Sequence, residues 1–143
     1  MSMNLISKKT ISLKSNPGTV WNALTNPSII KEWLYGTDTI TDWKEGSPIK
    51  FVGEWEGKKY EDKGTVLHVA HEKQVRYTYW SSMSGLEDLP QNYAHITYDL
   101  EQDGDQVLLT ITQDNIAKEE TKKHSDANWA QVLNKIKELV EKN

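Results

Sequence analysis

The chain has 143 residues, no cysteine, a net charge of −4 and 36% apolar residues, with a pI near 5.6 and a mean hydropathy of −0.71. That length suits one domain with a real core, while the acidic balance argues against nucleic acid and against an anionic membrane surface. Without cysteine there is no disulfide, thiolate nucleophile or cysteine metal site. No apolar run is long enough for membrane insertion and residues 1–13 lack the apolar centre of a signal peptide, so a soluble cytoplasmic protein is expected.

Residues 5–14 alternate, with Ile6, Lys8, Thr10 and Ser12 on one side and Leu5, Ser7, Lys9, Ile11 and Leu13 on the other, a half-buried first strand. Asn16-Pro17 then reads as a helix start, a capping oxygen before a proline that needs no donor. Val20, Trp21 and Leu24 follow at helical spacing. Asn26-Pro27 breaks that helix, and Ile29, Ile30, Trp33 and Leu34 supply a second short one. Residues 37–43 are a strand candidate. Gly57-Lys58 suits a hairpin turn that sets Glu56 opposite Lys59 and Trp55 opposite Tyr60. Residues 64–71 and 74–80 read as two more strands, with Val75, Tyr77 and Tyr79 on one face. Residues 81–92, with Gly85 and Pro90, read as a long loop. Taking Asp103-Gly104 as a two-residue turn pairs Leu100 with Val107, Tyr98 with Leu109 and Ile96 with Ile111, so that all six meet on one face. Last comes a helix over residues 128–140, where Trp129, Val132, Leu133, Ile136, Leu139 and Val140 line one side.

Strand, two short helices, about six strands and a long helix make an α+β fold. The expected architecture is a curved antiparallel sheet wrapped around the C-terminal helix, with the two short helices between the first two strands. No internal repeat or linker divides it, so residues 1–143 are read as one domain.

Several local motifs in this order carry a family resemblance: Asn16-Pro17 to Trp21-Asn22-Ala23-Leu24-Thr25-Asn26-Pro27, then Trp33; Gly64-Thr65-Val66 to Val75-Arg76-Tyr77-Thr78-Tyr79; Asp103-Gly104-Asp105; and His124, Asn128-Trp129, Val132-Leu133, Ile136-Lys137 and Leu139. Together they resemble the START-like (Bet v 1-like, SRPBCC) superfamily, and within it the Hsp90 ATPase activator homologues, the AHSA1-like family. The resemblance spans nearly the whole chain. One departure is Asn128, where relatives often carry glycine. The resemblance implies a helix-grip fold with a cavity between sheet and long helix. Relatives bind lipids, sterols or polyketide-like molecules, some catalyse cyclisations or ring openings, and many bacterial members have no assigned function. The eukaryotic activator carries a further N-terminal domain, whose absence here lowers the expectation of co-chaperone activity.

The candidate ligand-lining set is Trp33, Trp55, Tyr77, Tyr79, Tyr98 and Trp129, joined by Leu133 and Ile136 from the helix face. Any one of these aromatics is as well explained by core packing. As a set they would line an apolar cavity with a few polar handles. The histidines make a poor metal site: His68 and His71 face opposite ways on a strand, His95 faces outward, and His124 is a helix-face residue. The carboxylate pairs Glu54/Glu56, Glu61/Asp62, Glu87/Asp88 and Glu119/Glu120 are expected to be solvated surface. Arg76, the one arginine, is expected on the outer sheet face beside a carboxylate. No nucleophile elbow, phosphate loop or dinucleotide motif occurs, so no catalytic residue and no cofactor are assigned.

The reading that follows is a carrier or sensor of a small hydrophobic, lipid-like or aromatic molecule, with residues 81–92 and the Trp33 helix as its gate. The alternatives are an interaction module whose partner is an Hsp90-type chaperone, and a cyclase- or hydrolase-like enzyme using the same cavity.

Overall fold

The structure, a computed structural model, describes residues 4–82 and 84–141; Met83, in the long connection, lies outside the described residues. The first strand, β1 (Leu5–Leu13), buries Ser7 and Leu13 and turns Ile6, Lys8, Thr10 and Ser12 outward. Helix α1 (Pro17–Thr25) is capped by Asn16, whose side chain accepts from the Thr19 N–H at 2.9 Å. Asn26 then serves two helices. Its N–H closes α1 on the Asn22 carbonyl, and its side chain accepts from the Ser28 N–H at 3.0 Å to start α2 (Pro27–Trp33). An asparagine followed by proline both ends one helix and begins the next.

The remaining strands are β2 (Asp38–Ile40), β3 (Pro48–Trp55), β4 (Lys58–Ala70), β5 (Gln74–Tyr79), β6 (Ala94–Asp103) and β7 (Gln106–Ile116). They form one antiparallel sheet in the order β1-β7-β6-β5-β4-β3-β2. Helix α3 (Glu119–Val140) crosses this sheet, packing chiefly on β1 and also on β7 and α1. The architecture is the α+β helix grip. Among the described residues no helix is long and apolar enough to cross a membrane.

Both hairpins differ from the expected register by two residues. The first loop is Glu56-Gly57, where both residues take positive φ (49° and 81°), so Trp55 faces Lys58 and Tyr60 faces Gly53. The second is Gly104-Asp105, with Gly104 at φ 64°, so Leu100 faces Leu109, Tyr98 faces Ile111 and Ile96 faces Gln113. Each loop moves by one residue, which moves every pair by two. Because side chains alternate with a period of two, the same residues still face the core.

Two elements are longer than their sequence patterns. β4 runs for 13 residues, joining the hairpin arm after Gly57 to the expected 64–71 strand. Lys58 to Thr65 pair with β3 and Val66 to Ala70 with β5, with a register shift between Val66 and His68. Helix α3 starts at Glu119, nine positions before Asn128, and passes through Asn128 without a break. Its first turns lack an apolar stripe because they lie over open space. Glu119 and Glu120 in the first turn suit the positive end of the helix dipole.

The packed core lies under the other half of α3. Val132, Leu133, Ile136 and Val140 bury against Leu13, Val20, Leu24, Val107, Leu109 and Ile111. Behind them Trp33 is 2% exposed, donates its Nε1–H to the Ala23 carbonyl at 2.8 Å and meets the Tyr98 ring edge-on at 6.4 Å.

Candidate functional site

The opening turns of α3 present Thr121, Ser125 and Asn128 to the sheet, where the later turns present Leu133 and Ile136. Short polar side chains cannot reach the sheet and fill the gap, and a cavity of about 710 Å³ remains. Its floor is Phe51, Tyr60, Asp62, Tyr77, Tyr79 and Ile96 from β3 to β6, and its roof is Trp129 with His124 and Gln131. Leu34, Tyr35, Thr37 and Trp55 stand at one side. Such a volume is that of a small-molecule site.

Polar groups hold this lining in place. Trp129 donates its Nε1–H to Gln113 Oε1 at 2.8 Å, which ties roof to sheet. Tyr35, at φ 52° beside Gly36 at φ 77°, hydrogen-bonds Asn128 Oδ1 at 2.8 Å and Gln131 Oε1 at 3.1 Å, linking the end of α2 to α3 across the mouth. Tyr60 lies against Gly53 and reaches the Thr37 hydroxyl; a Cβ on Gly53 would stand 2.4 Å from its Oη.

Two hydrogen-bonded groups are buried in this floor and just behind it. The Tyr77 and Tyr98 hydroxyls meet at 2.6 Å with their rings edge to face at 5.6 Å. Burial pushes both phenols up, Tyr98 to about 12 and Tyr77 well above its ordinary value. Asp62, 7% exposed, accepts from the Tyr79 hydroxyl at 2.6 Å and from the Ser82 N–H and hydroxyl at 2.8 and 3.1 Å. Burial, and then the Asp62 charge, holds Tyr79 well above the usual phenol range. A phenol so placed keeps its proton at neutral pH, so it orients hydrogen bonds and is a poor proton donor.

The tyrosine pair makes a pH prediction. A folded-state pKa above the unfolded value of 10 gives stability that is complete below pH 10 and is lost as pH rises toward 12. Each such tyrosine steepens the loss by about 1.4 kcal/mol per pH unit. Denaturant melts across this window are expected to fall more steeply for the wild type than for Tyr77→Phe/Tyr98→Phe. Tyr98→Phe alone is expected to cost about 1–3 kcal/mol at neutral pH by stranding the Tyr77 hydroxyl, more than the double variant.

Of the residues singled out from sequence, Trp55, Tyr77, Tyr79 and Trp129 come together on the cavity wall. Trp33, Tyr98, Leu133 and Ile136 lie in the packed core around it. Asp62 was expected on the solvated surface and is buried instead. Tyr60, Asp62 and Val66 share one parity on β4, a signal that Gly64 between them obscures. Three of the four histidines pair with carboxylates, His68 Nδ1 with Glu45 at 3.1 Å, His71 Nε2 with Glu72 at 3.0 Å and His95 Nδ1 with Asp114 at 3.0 Å, and His124 lines the cavity. Among the described residues no three side chains of metal-ligating type cluster. Arg76 is exposed on the outer face, and no carboxylate pairs with it among the described residues.

A sequence profile of the family described as "Activator of Hsp90 ATPase homolog 1-like protein" matches residues 14–141. The chain belongs to this family. Among solved structures, this AHSA1-like chain is similar to ChR145 from Cytophaga hutchinsonii, with 41% identity, a TM-score of 0.86 and coverage of 99% of this chain and 97% of that one. The Aha1 dimer of Colwellia psychrerythraea matches at 21% identity and TM-score 0.77, over 96% of this chain and 97% of that one. CalU16 from Micromonospora echinospora matches at 15% identity and TM-score 0.70, over 99% and 87%. At those lower identities the likeness is one of fold, the AHSA1-like branch of the SRPBCC helix grip. The chain has no match among the curated proteins.

Proposed function

We propose that this AHSA1-like domain binds a small hydrophobic molecule, lipid-like or aromatic, between the sheet and α3, as a carrier or sensor in the cytoplasm. The carrying observation is the cavity of about 710 Å³ beside the buried core under the second half of α3. Its walls are aromatic, which gives apolar area, and a few fixed hydroxyls and amides give orientation. The fold, which commonly binds hydrophobic ligands, supports the same reading. Affinity would come from burying ligand area at about 25 cal/mol per Å² before ordering costs.

Trp55 and Trp129 both touch the cavity, so tryptophan fluorescence reports on it. Titration with a panel of fatty acids, sterols and polycyclic aromatics is expected to give a saturable change with at least one class. Silence across the whole panel would count against a ligand site.

The family's description favours a second reading, an interaction module for an Hsp90-type chaperone. It predicts that the purified domain stimulates the ATPase of its host's own chaperone. Unchanged turnover at saturating domain would remove it.

A further inference from the structure

The proposed ligand site holds a buried acid, Asp62, that has no ionic partner among the described residues. Asp62 faces the cavity at 7% exposure, and its hydrogen-bond partners, Tyr79 and Ser82, are all neutral. The Ser82 N–H can only donate. The Tyr79 hydroxyl donates to Asp62 Oδ2 and the Ser82 hydroxyl, like its N–H, to Oδ1, so both carboxylate oxygens are acceptors. Among the described residues three of its roughly four acceptor positions are taken.

A carboxylate this deeply buried normally finds a cation. The nearby lysines are engaged elsewhere: Lys63 with Asp88 at 2.5 Å and Lys50 with Glu61 at 3.9 Å, both pairs partly exposed. Among the described residues the cavity lining contains no lysine or arginine, and its one histidine, His124, comes from α3 and not from the sheet. Aromatic residues share the cavity floor with it instead. Phe51 is its partner across the β3–β4 pair, with the Phe51 ring 5.6 Å from that of Tyr77 and 5.7 Å from that of Tyr79.

A spare carboxylate position among ring faces is a recognition chemistry for ammonium. We infer that the ligand is an amphiphile with a protonated amine, its ammonium on Asp62 and its apolar body beneath Trp129. This rests on the cavity being a ligand site at all. A neutral molecule of the same shape would seal Asp62 from water and supply no counter-charge, a penalty that a cation removes.

The test titrates n-decylamine and n-decanol, both below aggregation, into the full chain at neutral pH by calorimetry. Decylamine is expected to bind about tenfold tighter or more, the low end for a charge-assisted hydrogen bond. The two must compete for one site, which separates cavity binding from general attraction of a cation to an acidic chain. Asp62→Asn keeps the shape and removes the charge, and is expected to bring the ratio close to one while decanol still binds. Equal or tighter decanol binding to the wild type, binding without competition, or an unchanged ratio in Asp62→Asn would overturn the assignment. Failure of both probes to bind would overturn the cavity reading itself. If Asp62→Asn does not fold, the wild-type ratio and the competition still decide.

Discussion

Replacing Gly64 by alanine is expected to destabilise the fold by about 3 kcal/mol or more, with a fall in Tm of roughly 10 °C for a chain of this size. An added Cβ would stand 1.6 Å from the Thr78 carbonyl oxygen and 2.5 Å from its carbonyl carbon. Both are backbone atoms of the facing chain, so no side-chain rotation relieves the clash. The strands must part, and the bonds at risk are Lys63 N–H to Trp80 O at 3.1 Å, Trp80 N–H to Lys63 O at 2.8 Å and Thr65 N–H to Thr78 Oγ1 at 2.8 Å. Gly64 lies beside the point where β4 passes from β3 to β5, two residues from Asp62 on the cavity floor. Gly18→Ala is the matched control. A Cβ there meets nothing nearer than 3.4 Å inside α1, so the change is expected to be neutral or to stabilise by about 0.4–1 kcal/mol. Urea melts of the two variants should separate clearly; a Gly64→Ala melt that overlays the wild type would contradict the close approach.

Trp129→Ala is expected to cost about 3–5 kcal/mol and to abolish the ligand response. The ring is 7% exposed, roofs the cavity and anchors Gln113 through its Nε1–H at 2.8 Å. Removing it opens the site to water and takes away an aromatic surface of the cavity roof. Trp129→Phe keeps a ring and strands Gln113, so about 1 kcal/mol is the expected loss. Trp55 supplies the contrast, because it lines the same cavity while 55% exposed. Trp55→Ala is expected to shift stability by roughly 0.5 kcal/mol or less and still to weaken binding. Thermal melts and the fluorescence titration on the three variants separate packing from recognition. Wild-type affinity in Trp129→Ala would place the ligand elsewhere.

Much of this fold is legible because its signals are local and periodic. Asn16-Pro17 marks the start of the first short helix through a cap that the structure shows, and Asn26-Pro27 marks its end, where the structure adds that Asn26 also caps the second. The apolar faces of β6 and β7 survive a mistaken turn, since an error of one residue in the loop preserves parity. The family motifs, from Asn16 to Leu139, carry the rest.

The cavity is less legible, for the same physical reason that it exists. Where α3 lies over the cavity its sequence loses the apolar stripe, so the turns from Glu119 to Ala127 do not announce a helix over a core. Tyr98 and Tyr77 share a face and a hydrogen bond, yet only Tyr77 reaches the cavity wall. Alternation distinguishes inside from outside but cannot separate cavity from core. Asp62 shows the converse: a charged residue beside Glu61 reads as surface until the close approach at Gly64 and the reach of Tyr79 are known.

The most direct test of a ligand site under α3 is a crystal structure of the chain with the tightest-binding panel member. Density is predicted between Trp129, Tyr77 and Phe51, with the polar end of the molecule within hydrogen-bond distance of Asp62. A collapsed cavity with the ligand bound elsewhere on the surface would contradict it.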